Sequence, residues 1–492
     1  MTVVRAASLI ARLPDGRVLL GTRTPAARSW HGTRVFPGGG VEDVDARLPL
    51  RSRSVGDDAI ERACALREAG EEAGLWLLAL PERRDDPAEL SVRRNQALAA
   101  LATGAALLDV LLQLRLVLDD KDLIPVLREE TADGRFMVRQ LLLPLQEAPT
   151  LTPPTTAELD DVGFFSPSSL RRSWREGRTF LIPPIRRALG VLAAHEGASV
   201  GEVAAALASP PTTAERITRD LVEGIAVIEA RSPTLPPATH TNCVVLGAQD
   251  VFLVDPAAPW DDARAAFDET LLAVLGERRV AGIFVTHHHI DHVGDVERLA
   301  ARHQAPVWAH PETAARLPFA VDHLVQEGAE LCLPGDPART FRAVHTPGHA
   351  RGHLCLLELN TSLLIAGDMV ASTGSILIDP DEGDMATYLA SLQRLIDLAP
   401  GALIPAHGPP IVEGQRRLIE QVAHRGARQV QVEEALPSSW TRVVDLVPVV
   451  YGQDTPRQMW PFAERSLRAA LAYAEERGVA ERLQDTWRRA PE

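Results

Sequence analysis

The chain has 492 residues, 46% of them hydrophobic, and a formal net charge of −15. Such a length points to two to four domains with sizeable cores, and the acidic balance argues against a broad nucleic-acid surface, leaving only a local basic groove open. No uncharged apolar run reaches the roughly 18 residues of a membrane-spanning helix, and the four cysteines, Cys64, Cys243, Cys332 and Cys355, form no C-x-x-C. Free core thiols in a reducing compartment are therefore expected. The opening Met1-Thr2-Val3-Val4-Arg5-Ala6 passes straight into a strand-like pattern without a signal-peptide design, so the expected location is the cytoplasm.

In chain order, two strand-like runs flank Pro14-Asp15-Gly16, a hairpin signal. Phe36-Pro37-Gly38-Gly39-Gly40 follows, and then a helical pattern leading into Arg67-Glu68-Ala69-Gly70-Glu71-Glu72-Ala73-Gly74-Leu75. Glu68, Glu71 and Glu72 stand at i, i+3 and i+4, so their carboxylates share one helix face. Like charges so placed repel unless a cation joins them, and hard oxygen ligands suit Mg²⁺ or Mn²⁺. Gly74 is placed as a helix C-cap. Gly70 weakens the helix interior by about 1 kcal/mol relative to alanine.

These residues resemble the Nudix box, G-x5-E-x7-R-E-U-x-E-E-x-G-U, over about residues 1–190. The resemblance implies an α/β/α sandwich in which Glu68, Glu71 and Glu72 bind Mg²⁺ or Mn²⁺ on a diphosphate. It gives Glu71 a catalytic part and Arg67 a carboxylate-orienting one. The chain departs from the pattern at the first glutamate, whose place eight residues before Arg67 falls on Ala59. Either an active diphosphate hydrolase or a regulatory, nucleotide-sensing domain fits that departure.

A closing helix is expected around Ile185–Leu189, then one or two amphipathic helices over 197–230 around Pro210-Pro211, and a proline-rich extended entry, Ser232–Thr239. Beyond it, four strand-like runs each end in small residues and metal-type ligands. Ala281–Thr286 leads into His287-His288-His289-Ile290-Asp291-His292. Another run ends in Thr346-Pro347-Gly348-His349-Ala350-Arg351-Gly352-His353. Ser362–Ala366 leads into Gly367-Asp368, and Ala402–Pro405 into Ala406-His407-Gly408. Imidazole nitrogen and carboxylate oxygen are ordinary zinc ligands.

This ordered set resembles the metallo-β-lactamase superfamily over about residues 235–412. The resemblance implies an αβ/βα sandwich with two Zn²⁺ (or Fe or Mn) ions. His287, His289 and His349 would hold the first, Asp291, His292 and His407 the second, and Asp368 would bridge them. Such a pair can share a hydroxide as nucleophile. Asp291 and His353 are the catalytic candidates. His353 either protonates a leaving group or supports a ligand through a hydrogen bond. Asp255, at a strand end, either orients a ligand histidine or is a turn residue. His288 and His310 are expected to be neutral bystanders.

The tail, with His424-Arg425, Arg428 and Leu446-Val447-x-x-x-Tyr451, resembles the small winged-helix-like α domain of β-lactamase-like-2 proteins. Residues 421–492 hold ten basic and ten acidic residues, poor support for phosphate-backbone binding. The expected organisation is a Nudix-like domain 1–195, a helical linker 196–234, a metallo-β-lactamase-fold domain 235–415 and a winged-helix-like domain 416–492. The expected activity is metal-dependent hydrolysis of an ester or thioester, joined to diphosphate hydrolysis of a nucleotide-linked compound, with no membrane partner. The alternative is a single-stranded RNA endonuclease under nucleotide control.

Overall fold

The computed structural model describes residues 3–27, 31–52, 54–81, 86–130, 136–212, 222–372, 374–452 and 455–491. The chain divides into two compact units, Met1–Val222 and Glu223–Glu492.

The first unit is built on a mixed sheet in the order Phe180–Leu181, Thr33–Val35, Val18–Arg23, Val4–Arg12, Phe136–Pro144, Ile124–Glu130. The hairpin forms where expected: Arg12 pairs with Val18, and Gly16 takes φ +88°, a conformation glycine adopts without steric cost. Strand alternation then separates two cores. Ala7, Leu9 and Ala11 face the helix Asp57–Ala73 and its Ala63, Leu66 and Ala69. Ile10, Val18 and Leu20 face Leu170, Trp174 and Ile185 from the helices Pro167–Arg175 and Pro183–Ala194. The result is an α/β/α sandwich.

Gly70 is not a flaw in the helix Asp57–Ala73, because a Cβ there would lie 2.2 Å from the Trp76 ring. The ring packs where a side chain would stand. Gly74 closes the helix at φ +66° with its N–H donated to the Gly70 carbonyl.

The second unit carries two six-stranded sheets. One runs Ile225–Arg231, His240–Leu246, Val251–Val254, Val280–Val285, Val307–Ala309, His323–Leu324. The other runs Glu330–Leu333, Arg339–His345, Leu354–Glu358, Leu363–Gly367, Ala402–Pro405, Ile411–Val412. Inner strands such as Val251–Val254, Leu363–Gly367 and Ala402–Pro405 are buried throughout, which is why they read as unbroken apolar runs. Helices Asp261–Leu275 and Val296–His303 pack on the first sheet, and Met385–Asp397 on the second.

The stretch expected as a helical linker, 196–234, is corrected. Helix Val200–Ala208 packs Val203 and Leu207 into the first unit's core. Ile225–Arg231 is not helical but an edge strand paired to His240–Leu246 along its whole length. Residues 213–221, where a further helix was expected, lie outside the described residues.

The tail folds as helices Gly414–Ala435, Val443–Tyr451 and Trp460–Glu476. It also carries a three-stranded sheet of Thr441–Arg442, Thr486–Arg489 and Ala480–Leu483 around its own core, which includes Leu446, Leu467 and Trp487. All four cysteines are free, three of them buried. Among the described residues no helix is long and apolar enough to cross a membrane.

Candidate functional site

The four strand ends do converge. His287 follows the strand Val280–Val285, His349 follows Arg339–His345, Asp368 follows Leu363–Gly367 and His407 follows Ala402–Pro405. The ligand atoms of His287, His289 and His349 lie together, as do those of Asp291, His292 and His407 and those of His287, His292 and Asp368.

Hydrogen bonds fix which nitrogen of each ring is bare. Thr286 Oγ1 donates to Asp255 Oδ2 at 2.6 Å. It can therefore only accept from His287 Nδ1, 3.0 Å away, and His287 Nε2 carries no proton. His289 Nε2 donates to Glu382 Oε2 at 2.8 Å, leaving Nδ1 bare. His349 Nδ1 donates to the Leu377 carbonyl at 2.8 Å, leaving Nε2 bare. The three bare nitrogens stand 3.0, 3.0 and 3.2 Å apart. Corners of a tetrahedron around zinc, at 2.0–2.1 Å from the metal, are about 3.3 Å apart. Three lone pairs aimed at one another repel, and a cation between them removes the repulsion, so these residues fit a divalent ion.

The second set obeys the same logic. His292 Nδ1 donates to Asp255 Oδ2 at 2.8 Å, and His407 Nδ1 donates to the His240 carbonyl at 3.0 Å. His292 Nε2 and Asp368 Oδ1 are buried with no hydrogen-bond partner. Unmatched buried polar atoms of this kind are costly. Asp368 Oδ1 faces His407 Nε2 at 3.4 Å and His292 Nε2 at 3.6 Å, while Oδ2 faces His349 Nε2 at 3.4 Å. One oxygen thus looks to each set. Asp291 Oδ2 lies 3.5 Å from His407 Nε2.

The electrostatics follow burial and neighbours. Burial, reinforced by the other imidazoles, holds His287 well below the usual histidine range. Burial also draws His349 down to about 4. Burial opposes the charge on His292 too, but Asp255 and Asp368 outweigh it and raise that ring.

His353 is corrected as a proton donor to a leaving group. It is fully buried, its Nε2 accepts the Asp368 backbone N–H at 3.0 Å, and its Nδ1 pairs with Thr346 Oγ1 at 2.8 Å. With both nitrogens engaged, it positions Asp368. A Cβ on Gly367, which has φ +50°, would come within 2.5 Å of His353 Nε2, so glycine is required for this contact. Asp255 binds both Thr286 and His292, the orienting role rather than a turn's. His288 sits beside Glu382, its Nε2 3.2 Å from Oε2 but out of hydrogen-bond alignment. His310 stacks on His345 at 4.3 Å, away from the ligands. Glu382 was not foreseen; nothing in its local sequence marks it, and only the fold brings it to His289.

A cavity of about 410 Å³ opens over this cluster, lined in part by His289, Asp291, Asp368, Glu382, His407 and Arg465. The tail bonds to the lining residue Ile376 and to Tyr388. Arg425 donates to the Ile376 carbonyl, and Gln421 to the Tyr388 hydroxyl at 3.2 Å.

In the first unit Arg67 is the hub. Its Nη1 lies 2.9 Å from both Glu68 Oε1 and Glu71 Oε2, while Glu72 Oε2 accepts the Gly38 N–H at 2.8 Å. Asp45, 2% exposed, takes Arg67 Nε at 2.8 Å and Nη2 at 3.1 Å. Burial pushes Glu68 up to about 7 against the pull of Arg67. Burial likewise pushes Glu72 up to about 8. Among the described residues the three glutamates do not draw together within 4.8 Å as the histidine sets do.

Comparison with known proteins agrees with this division. The NUDIX domain model matches residues 2–181, the metallo-beta-lactamase superfamily model 236–407 and the beta-lactamase associated winged helix domain model 443–487. A beta-lactamase-like protein 2 homolog of Drosophila melanogaster is 28% identical over 40% of this chain and 68% of its own length. An atrochrysone carboxyl ACP thioesterase of Aspergillus fumigatus is 26% identical over 40% of this chain. The match spans 59% of that protein, less than two thirds of it. A beta-lactamase domain protein from Burkholderia ambifaria shares the fold of the second unit, with a TM-score of 0.50 and 21% identity over 57% of this chain and 95% of that one. The chain is a hydrolase that carries an N-terminal Nudix domain, a metallo-beta-lactamase domain and a beta-lactamase associated winged helix domain.

Proposed function

We propose that the second unit hydrolyses a thioester at a two-cation site. His287, His289 and His349 hold one ion, Asp291, His292 and His407 the other, and Asp368 lies between. The observation that carries this reading is the convergence of imidazole nitrogens on both sides of Asp368, whose two oxygens face opposite sets. Two Zn²⁺ or Fe ions there would supply a nucleophile from water near neutral pH and polarise the acyl oxygen. The chain's own part is to hold the geometry. Asp255, Glu382 and the Leu377 and His240 carbonyls fix the tautomers, and His353 pins the Asp368 backbone. Asp291, which lines the cavity, is placed to hold the proton released from water through the carboxylate oxygen not turned to His407. Water adds to the acyl carbon and the C–S bond breaks, giving a carboxylate, a thiol and a proton. The name of the fungal thioesterase relative favours a thioester over other esters.

For the first unit we propose diphosphate hydrolysis with Mg²⁺ or Mn²⁺ on Glu68, Glu71 and Glu72. The Asp45–Arg67 fork supports it, because it keeps the helix anchored. Metal analysis combined with a panel of acyl-CoA, S-acylglutathione, single-stranded RNA, coenzyme A and nucleoside diphosphate sugars tests both proposals. Zinc-dependent thioester turnover is expected. Cleavage of RNA with thioesters untouched would replace the first proposal with an endonuclease.

A further inference from the structure

Among the described residues lining the cavity over the metal ligands, one carries a permanent positive charge: Arg465, from the helix Trp460–Glu476 of the winged-helix domain. We propose that Arg465 is the anchor for an anionic group of the substrate, a phosphate on the thiol carrier or a carboxylate on the acyl chain. This rests on the thioester reading of the metal site.

The guanidinium is held ready rather than consumed. Its Nη2 lies 2.8 Å from Asp379 Oδ2, and Asp379 is only 16% exposed. Asp381, at 3.4 Å, is 81% exposed and easily displaced by a competing anion. Among the described residues neither Nε nor Nη1 of Arg465 takes a partner, and an anion that displaces Asp381 from Nη2 gains a two-donor edge of the planar fork. The side chain is half exposed and borders the same cavity as the ligands His289, His349 and His407.

Arg465 belongs to a wall that otherwise offers carboxylates. Asp379, Asp381 and Glu382 stand on one turn, in which the N–H groups of Glu382 and Gly383 donate to the Asp379 carbonyl. Through that turn Arg465 could instead act as a clamp, steadying Glu382 and thereby His289. A clamp affects every substrate alike and disturbs metal binding, whereas an anchor discriminates by substrate charge.

The experiment uses the full chain, zinc-loaded, as wild type, Arg465→Gln, Arg465→Lys and Asp381→Asn. Calorimetry measures binding of two pairs of probes: 4′-phosphopantetheine against pantetheine, and S-glutaryl against S-butyryl pantetheine thioether analogues. Arg465→Gln is expected to weaken the anionic member of one pair at least tenfold while its neutral partner changes less than twofold. The affected pair identifies the anion as carrier phosphate or acyl carboxylate. Arg465→Lys should recover part of the loss, and Asp381→Asn should tighten the anionic probe by removing its competitor. Equal losses for charged and neutral probes, or zinc lost with the arginine, would make Arg465 a clamp and overturn the proposal; so would unchanged binding throughout. Binding needs no turnover, so the result stands apart from the thioesterase assay. If wild type hydrolyses no thioester, the reaction assignment fails, and Arg465 is judged on charge discrimination alone.

Discussion

Asp255 receives three hydrogen bonds in a buried site: from the Thr286 N–H at 2.8 Å, from Thr286 Oγ1 at 2.6 Å and from His292 Nδ1 at 2.8 Å. Asp255→Asn keeps the shape but turns one oxygen into a donor. If the amide NH₂ faces His292, Nδ1 must accept, the ring proton moves to Nε2, and the lone pair needed by the second cation disappears. If the amide flips, its NH₂ meets the Thr286 N–H, and two buried donors without an acceptor cost about 1–3 kcal/mol. Loss of the partner that orients a ligand histidine typically lowers metal affinity 10–100-fold, or about 1.4–2.8 kcal/mol. The first set keeps its supports on His289 and His349, and Thr286 Oγ1 can still accept from His287 Nδ1, so the loss should fall mainly on the second site. Zinc titration against a competing chelator should show one tight site retained and the other weakened by at least tenfold. A second site within threefold of wild type would refute the tautomer argument.

Gly367→Ala should cut turnover at least tenfold, because a Cβ would stand 2.5 Å from His353 Nε2 and the positive φ adds about 1–3 kcal/mol of strain; a fully active variant would contradict the positioning role of His353. Asp45→Ala leaves Arg67 Nε and Nη2 without their acceptor while Glu68 and Glu71 still face Nη1, and should destabilise the Nudix unit by about 1–3 kcal/mol, read as a lowered unfolding midpoint in denaturant. In the metal-free protein, Glu68 at about 7 and Glu72 at about 8 hold protons that the unfolded chain has released. Their contribution to stability should therefore fall as pH rises from about 4.5 to 8. Glu72→Gln should flatten that fall, and Mg²⁺ should offset it; a wild-type unfolding midpoint no more pH-dependent than the variant's would contradict the buried-carboxylate reading.

The cluster of candidate ligands was legible because its chemistry is concentrated at strand ends. Histidine and aspartate placed directly after long apolar runs are costly to hold beside a core without a cation, and His287, His289, Asp291, His292, His349, Asp368 and His407 all come together. Their supports were not legible. Glu382 meets His289 across 93 residues and Asp45 meets Arg67 across 22, and neither carries a local mark. Ile225–Arg231 misled because its alanines and glutamate suit a helix, whereas pairing with His240–Leu246 decides the outcome. Gly70 looked like a weak point in a helix until Trp76 filled the space beside it. His353, four residues past His349, was a candidate proton donor, yet burial and two hydrogen bonds assign it to the backbone of Asp368.

The most direct test of the two-cation thioester site is zinc content measured together with thioester turnover, in Mg²⁺ buffer, for wild type and Asp368→Ala. Two zinc ions per chain with turnover in wild type, and loss of both metal and turnover in the variant, is the expected result. Thioester turnover that persists in the variant, or in wild type stripped of zinc, would contradict the assignment.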